Sequence, residues 1–290
     1  MENLFEKGCL VQLSSSVWGA TRKIKPEQLA DLTVSSQWLR TSKKLVDPEA
    51  LKPIAKVINQ ARSYICGVSL PFPIKGMEFV PKEMISRVDG RLDEFKTDFN
   101  REVETFVGNY DRLREVAMVH LGGLFNEMEY PVDVRGKFAF IWRFVILDVP
   151  NGNTVILAPE VYEREKEKFV QTMQEARELA IRSLREEFAG MVERITERFS
   201  NGQNGGCKIF KNGTVNNFYE YFETFQERNI FKDEELAELV ERAKAILADQ
   251  SAEKIRSNEH LKERIRDGMQ SVEGAMAEIL TMPRRKIVLN

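Results

Sequence analysis

The sequence predicts a mainly helical α+β protein: a long antiparallel helical hairpin forming a coiled-coil rod, with a small β-sheet at one end and a helical C-terminal end-piece. Three observations predict it. Apolar residues recur at gaps of three and four from Met84 through Val88, Leu92, Phe95, Phe99, Val103, Phe106, Tyr110 and Leu113 to Ala117. Such a near-heptad seam favours lengthwise packing against another helix. A second stripe of matching length runs through Phe169, Met173, Ala176, Ala180, Leu184, Phe188, Met191, Ile195 and Phe199. At 1.5 Å per residue, about forty residues make a rod of roughly 60 Å. Between the two stripes, Phe138 to Leu147 is apolar at nearly every position and rich in strand-forming residues.

Taken in order, Gly8 to Leu13 reads as a short strand, followed by the polar Ser14-Ser15-Ser16 and a loop around Trp18-Gly19. Pro26 to Leu32 has the pattern of a short helix. A firmer helix starts at Asp47, an N-cap residue, with Pro48 at the first helical position, where its missing N–H costs nothing. Its inner face is Leu51, Ile54, Val57, Ile58, Ala61 and Ile65. Pro71 and Pro73 end that region, and Lys75 to Val80 is expected to be extended. The first long helix starts at Pro81 and stops at Gly122-Gly123.

Lys137 to Leu157 is expected to be a β-hairpin. Its first strand is apolar on both faces apart from Arg143 and should be covered on both sides. Pro150-Asn151-Gly152 supplies the turn, and Thr154 to Leu157 returns. One hairpin alone is marginal, so a third strand is expected, from the N-terminus or from Lys286-Ile287-Val288-Leu289. The second long helix runs from near Pro159 to Phe199, and the glycine-rich stretch 201–214 is the clearest break after it. Beyond lie an aromatic helical segment from Val215 to Glu227, a helix capped by Asp233, and another from about Ser251 to Met282 that Pro283 stops. The predicted organisation is therefore a mixed α/β segment over 1–80, the helical hairpin over 81–200 with its β insertion at 137–157, and a C-terminal helical segment over 201–290.

Few chemistries fit. With 42% hydrophobic and 30% charged residues, the chain has material for a core and for solvated helices, which excludes wholesale disorder and collagen-like proteins. Cys9, Cys66 and Cys207 are odd in number and widely spaced, which gives neither a zinc site nor a disulfide framework. His120 and His260 lack a glutamate three residues earlier, where Ala117 and Ser257 stand, so a di-iron bundle is not specified. The run Gly202 to Lys208 lacks P-loop spacing, and no nucleophile elbow occurs. No catalytic, cofactor-binding or metal-ligating residue is assigned, and a non-enzyme is expected. The most apolar window, Phe138 to Leu147, contains Arg143 and falls far short of the roughly twenty residues that cross a bilayer. Met1 to Ser16 lacks the features of a secretion signal, so a cytoplasmic protein without membrane contact is expected.

Charge is more informative. The net −2 conceals a head over 1–80 with eleven Lys or Arg against seven Asp or Glu, a net +4, which leaves −6 for the rest. Trp18, Arg22, Lys23, Lys25, Trp38, Arg40, Lys43 and Lys44 are the candidate contacts to an acidic partner or a phosphate backbone. A net +4 is modest and lacks the arginine–aromatic density of single-strand binders. A protein partner is therefore the first reading, nucleic acid the alternative, and a homo-oligomer stays open.

Several of these residues carry a resemblance. Trp18-Gly19 with Arg22-Lys23, Ser42-Lys43-Lys44-Leu45-Val46-Asp47-Pro48, Leu51-Lys52-Pro53, Val80-Pro81 and Tyr110-Asp111 resemble a bacterial and phage family of unknown function. Members of that family often lie in mobile elements beside a MoxR-type AAA+ ATPase and a von Willebrand A-domain protein. The resemblance covers roughly residues 4–160 and is densest around 42–53; Trp18-Gly19-Ala20 stands where the family pattern is Trp-Ser-Gly. It implies an adaptor or scaffold working with an ATPase machine, and it carries over no catalytic residue. A two-helix rod would suit that role by holding two binding surfaces apart, and Tyr219, Tyr221 and Phe222 are either docking aromatics or packing under the end-piece.

Overall fold

The structure is a computed structural model that describes residues 4–24, 41–148, 158–199, 212–248, 250 and 252–281. Its contacts divide the chain into two compact units, each assembled from separated segments. The first unit comprises Met1–Cys9, Val68–Met84 and Ile146–Asn290; the second comprises Leu10–Gly67 and Ile85–Val145. Eight α-helices, a small antiparallel sheet and a helical C-terminal end among the described residues make this the mainly helical α+β fold that the periodicity predicts.

In the second unit, strand β1 (Gly8–Ser16) pairs antiparallel with β6 (Ala139–Val145), from Leu10 opposite Val145 to Ser16 opposite Ala139. The N-terminal strand is thus a partner that the isolated hairpin needed; the return strand at 154–157, the tail at 286–289 and the short helix at 26–32 lie outside the described residues. Strands β2 (Thr21–Lys23) and β3 (Ser42–Lys44) form a separate pair. Asp47 Oδ1 accepts from Glu49 N at 2.9 Å and caps a 3-10 turn, Pro48–Leu51, that leads into α1 (Lys52–Val68). That helix buries Ile54, Val57, Ile58, Ala61 and Ile65 at helical spacing, as the sequence requires.

The first long seam becomes two helices, α2 (Ile85–Gly108) and α3 (Tyr110–Leu121). The break is at Asn109, whose φ of −98° and ψ of 0° place it in the bridge region. Its amide donates to Phe106 O, three residues back rather than four, and its side-chain Nδ2 takes Thr105 O at 2.8 Å. Asparagine side chains compete in this way with the helical ladder. The seam survives the break because Val88, Leu92, Phe95, Phe99, Val103, Phe106, Tyr110 and Ala117 are all buried. Phe99 meets Phe140 of β6 at 5.5 Å, Phe106 meets Phe138 at 5.5 Å, and Trp142 Nε1 donates to Asp89 Oδ1 at 2.8 Å. One face of β6 therefore rests on α2. Its other face, expected to be covered, is open among the described residues: Ile141 is 49% exposed and Arg143 is exposed. The opposing residues of β1 there are Ser14 and Gln12, while Leu10, opposite Val145 on the same face, is fully buried, so among the described residues that face is open at Ile141 and Arg143 and covered at Leu10.

In the first unit, β4 (Leu70–Pro71) pairs with β5 (Glu78–Pro81), which neighbours the start of β1. Helix α4 (Pro159–Phe199) buries Ala176, Ala180, Leu184, Phe188, Met191, Val192 and Ile195 in its second half, against α5 (Asn212–Arg228) and α8 (Glu259–Thr281). Residues 159–175 hold no fully buried side chain. The lengthwise partner that these contacts establish for α4 is α8, which buries Ile265, Met269, Val272 and Met276; the pairing of the two long segments with each other stays an expectation. Helix α6 (Glu234–Leu247) packs on α8 through Leu236, Val240, Ala243 and Leu247, and the short α7 (Ala252–Ser257) packs on α5 and α8.

Polar groups knit this helical end together. The Arg185 guanidinium of α4 meets Asp233 in a two-pronged pair, Nε to Oδ2 at 2.6 Å and Nη2 to Oδ1 at 2.8 Å. It also donates to Glu235 at 2.9 Å and to Ile279 O near the end of α8 at 2.9 Å. Asp233 Oδ1 meanwhile accepts from Leu236 N and caps α6. The hydrogen bonds that it donates to Asp233 hold the Arg185 guanidinium above its usual pKa. Next to it, Arg228, 2% exposed, pairs with Glu187 at 2.6 Å and lies over the Tyr221 ring. Tyr221 stacks on Phe188 and Phe225 and donates to Leu184 O at 3.1 Å; burial raises the pKa of its phenol. Tyr221 is thus a core residue, Tyr219 donates to Gln250 O, and Phe222 is half-buried beside Phe218. The reading in which these aromatics pack under the end-piece holds.

Candidate partner-binding surface

The β2–β3 pair sets Thr21 opposite Lys44, Arg22 opposite Lys43 and Lys23 opposite Ser42. Arg22, Lys23 and Lys44 are exposed, and Lys44 Nζ donates to Thr21 Oγ1 at 3.2 Å. Lys43 does the opposite. Its side chain is 3% exposed, pairs with Glu129 at 2.6 Å and donates to Leu124 O. A buried ammonium needs such partners, because desolvation without them costs several kcal/mol, roughly. Lys43 therefore fastens the strand pair to the segment after α3 and is not itself available to a partner.

That segment is fixed in turn. Arg114 of α3 pairs with Glu127 at 2.7 Å, and Tyr110 Oη donates to Pro131 O at 3.1 Å. Trp18 is 8% exposed and meets the rings of Tyr110 at 5.7 Å and Phe106 at 6.3 Å edge-on. It anchors the loop between β1 and β2 rather than offering a contact. Of the eight candidates, then, the structure places three cations on one exposed strand pair and turns Trp18 and Lys43 inward; Lys25, Trp38 and Arg40 lie outside the described residues. Nothing local in the sequence marked Glu129 or Leu124 as the partners of Lys43, since they follow it by more than eighty residues.

Ala20 closes the loop with φ of +43°, and its carbonyl accepts from Leu45 N at 2.8 Å. A left-handed backbone costs an alanine about 1 kcal/mol that glycine escapes. Ala20→Gly is expected to raise stability by up to about 1 kcal/mol, read as a higher melting temperature; a clear fall in that temperature would contradict the strain.

Residues 5–200 match the family model described as "Protein of unknown function (DUF3150)". The chain belongs to the DUF3150 family. The match spans the sequence resemblance and extends it through α4. No curated protein and no solved structure matches this DUF3150 chain. Among its described residues no three His, Cys, Asp or Glu side chains gather as a metal site, and no helix is long and apolar enough to cross a membrane. His120 and His260 are exposed, and Cys9 is buried, which raises the pKa of its thiol.

Proposed function

We propose that this DUF3150 protein is a non-enzymatic adaptor that presents a rigid basic surface to an acidic protein partner. The observation that carries the reading is the β2–β3 pair, where buried Lys43 locks the backbone, Lys23 and Lys44 stay exposed on one face, and Arg22 stays exposed beside Lys43 on the other. A fixed array of cations loses little side-chain and loop entropy on association, so it favours one complementary surface. The buried ion pairs support the same reading, because Arg185, Arg228 and Lys43 are engaged in holding elements together. The partners to try first are those implied by the resemblance, a MoxR-type AAA+ ATPase and a von Willebrand A-domain protein.

The test is co-purification of the full chain with each of those proteins. Arg22→Glu, Lys23→Glu and Lys44→Glu together are expected to abolish capture while leaving the melting temperature within a few degrees, since all three are exposed. Capture that survives the triple reversal sinks the surface. The second reading, nucleic-acid binding by the same cations, predicts affinity that falls steeply with salt. Absence of DNA and RNA binding at low salt removes it.

A further inference from the structure

Strand alternation sorts the basic pair into two faces. Thr21 lies opposite Lys44 and Lys23 opposite Ser42, so these four side chains share one face, while Arg22 and Lys43 share the other. The second face is engaged, because Lys43 pairs there with Glu129 at 2.6 Å. On the first, Lys23, Ser42 and Lys44 are exposed. Thr21 Oγ1 donates to Gly19 O at 2.8 Å, which leaves its lone pairs for Lys44 Nζ, 3.2 Å away. The Lys44 ammonium is thereby held over β2 at Thr21, two residues along the strand from Lys23. Two strand residues span about 7 Å. The face thus offers two ammonium groups in line at the spacing of alternate residues in an extended chain, with the Ser42 hydroxyl opposite Lys23.

We propose that this face recognises an extended acidic segment of a protein partner, with carboxylates two residues apart, lying lengthwise over β2. The inference rests on the adaptor reading and names the motif that the basic surface takes. A doubly cationic face with no carboxylate of its own selects an acidic occupant. In an extended chain the side chains at i and i+2 point the same way and stand about 7 Å apart, so two carboxylates reach Lys44 and Lys23 together. The Ser42 hydroxyl can donate to the second of them. Adjacent carboxylates point to opposite sides, and only one of them reaches the face. Those four residues apart stand about 13 Å from each other and overshoot the pair. The other face of the same strands already does this chemistry, since Lys43 takes Glu129 from the turn Glu127–Glu129. Carboxylate is favoured over nucleic-acid phosphate because none of the four side chains is an aromatic on which a base could stack.

The test is titration of the full chain, followed by NMR at low ionic strength, with three short peptides that carry two aspartates in a glycine–serine background, adjacent, two apart or four apart. An exposed ion pair is worth at most about fivefold in affinity, so dissociation constants on the order of millimolar are expected. The two-apart peptide should bind about threefold tighter than either of the others. Lys23→Glu or Lys44→Glu should each remove that preference, and Arg22→Glu, on the other face, should cost less than either. Lys56→Glu, an equal change of charge at an exposed position of α1, should leave the preference in place. Equal affinity for the three spacings overturns the proposal, as does no binding at all. So does a preference for the four-apart peptide, or tighter binding of a thymidine trinucleotide that carries the same charge. The adaptor reading is judged separately by partner capture: capture lost in the triple reversal, with no preference among the peptides, leaves the surface standing and sinks only the motif.

Discussion

Replacing Arg185 by alanine is expected to cost about 3 kcal/mol of stability, measured as the shift in a urea unfolding midpoint. The size follows from what is left behind. Arg185 meets Asp233 through two prongs, and the Asp233 side chain is only 5% exposed. Without the guanidinium, that carboxylate stays buried with its charge uncompensated while still capping α6. Ile279 O also loses its donor, which loosens the end of α8. The figure sits at the low end of the range for broken buried pairs because the arginine side chain keeps 19% of its surface exposed. Asp233→Ala should cost a comparable amount, since it removes both the cap and the counter-ion. The double variant should be less destabilised than the sum of the singles by at least about 1 kcal/mol. Additive single effects would mean that the pair contributes little.

The second large effect is expected from the smallest change. A methyl group added at Gly8 would stand 2.2 Å from the carbonyl oxygen of Val80 and 2.8 Å from the Phe79 ring. The ring can turn; the carbonyl belongs to β5 and cannot retreat without moving the strand. Gly8→Ala should therefore cost about 3 kcal/mol, the upper part of the range for overpacking. Gly268→Ala is a useful contrast. Its added methyl would lie 3.0–3.1 Å from Cδ1, Cγ1 and Cγ2 of Ile246, a side chain that need give by only a few tenths of an ångström, so a cost of about 1 kcal/mol is expected. Equal losses at the two glycines would contradict the distinction between a backbone and a side-chain neighbour.

Much of the local structure was legible because it depends on spacing. The buried rows of α1, α2 and the second half of α4 are the ones read from helical periodicity, and Asp47 and Asp233 cap where their side chains can reach a free amide. The break at Asn109 was not legible, because the apolar rhythm runs straight through it and only the side-chain bond to Thr105 O reveals the competition. The exposure of Ile141 was not legible for a related reason. Composition shows that Ile141 is apolar, but whether anything covers it depends on other elements of the fold. The basic strand pair was half legible: the cations were visible in the chain, whereas the turning inward of Lys43 depends on Glu129 and Leu124, far away in sequence.

The alternation of segments between the two units has a consequence for how the molecule comes into being. The family match stops at residue 200, yet the inner face of α4, with Leu184, Phe188 and Ile195, is covered by α5 and α8, which follow that point. As the chain leaves the ribosome, that face must therefore wait, wet and apolar, until α8 has been made. The region that defines the family thus leaves the inner face of α4 incomplete until helices beyond residue 200 are in place.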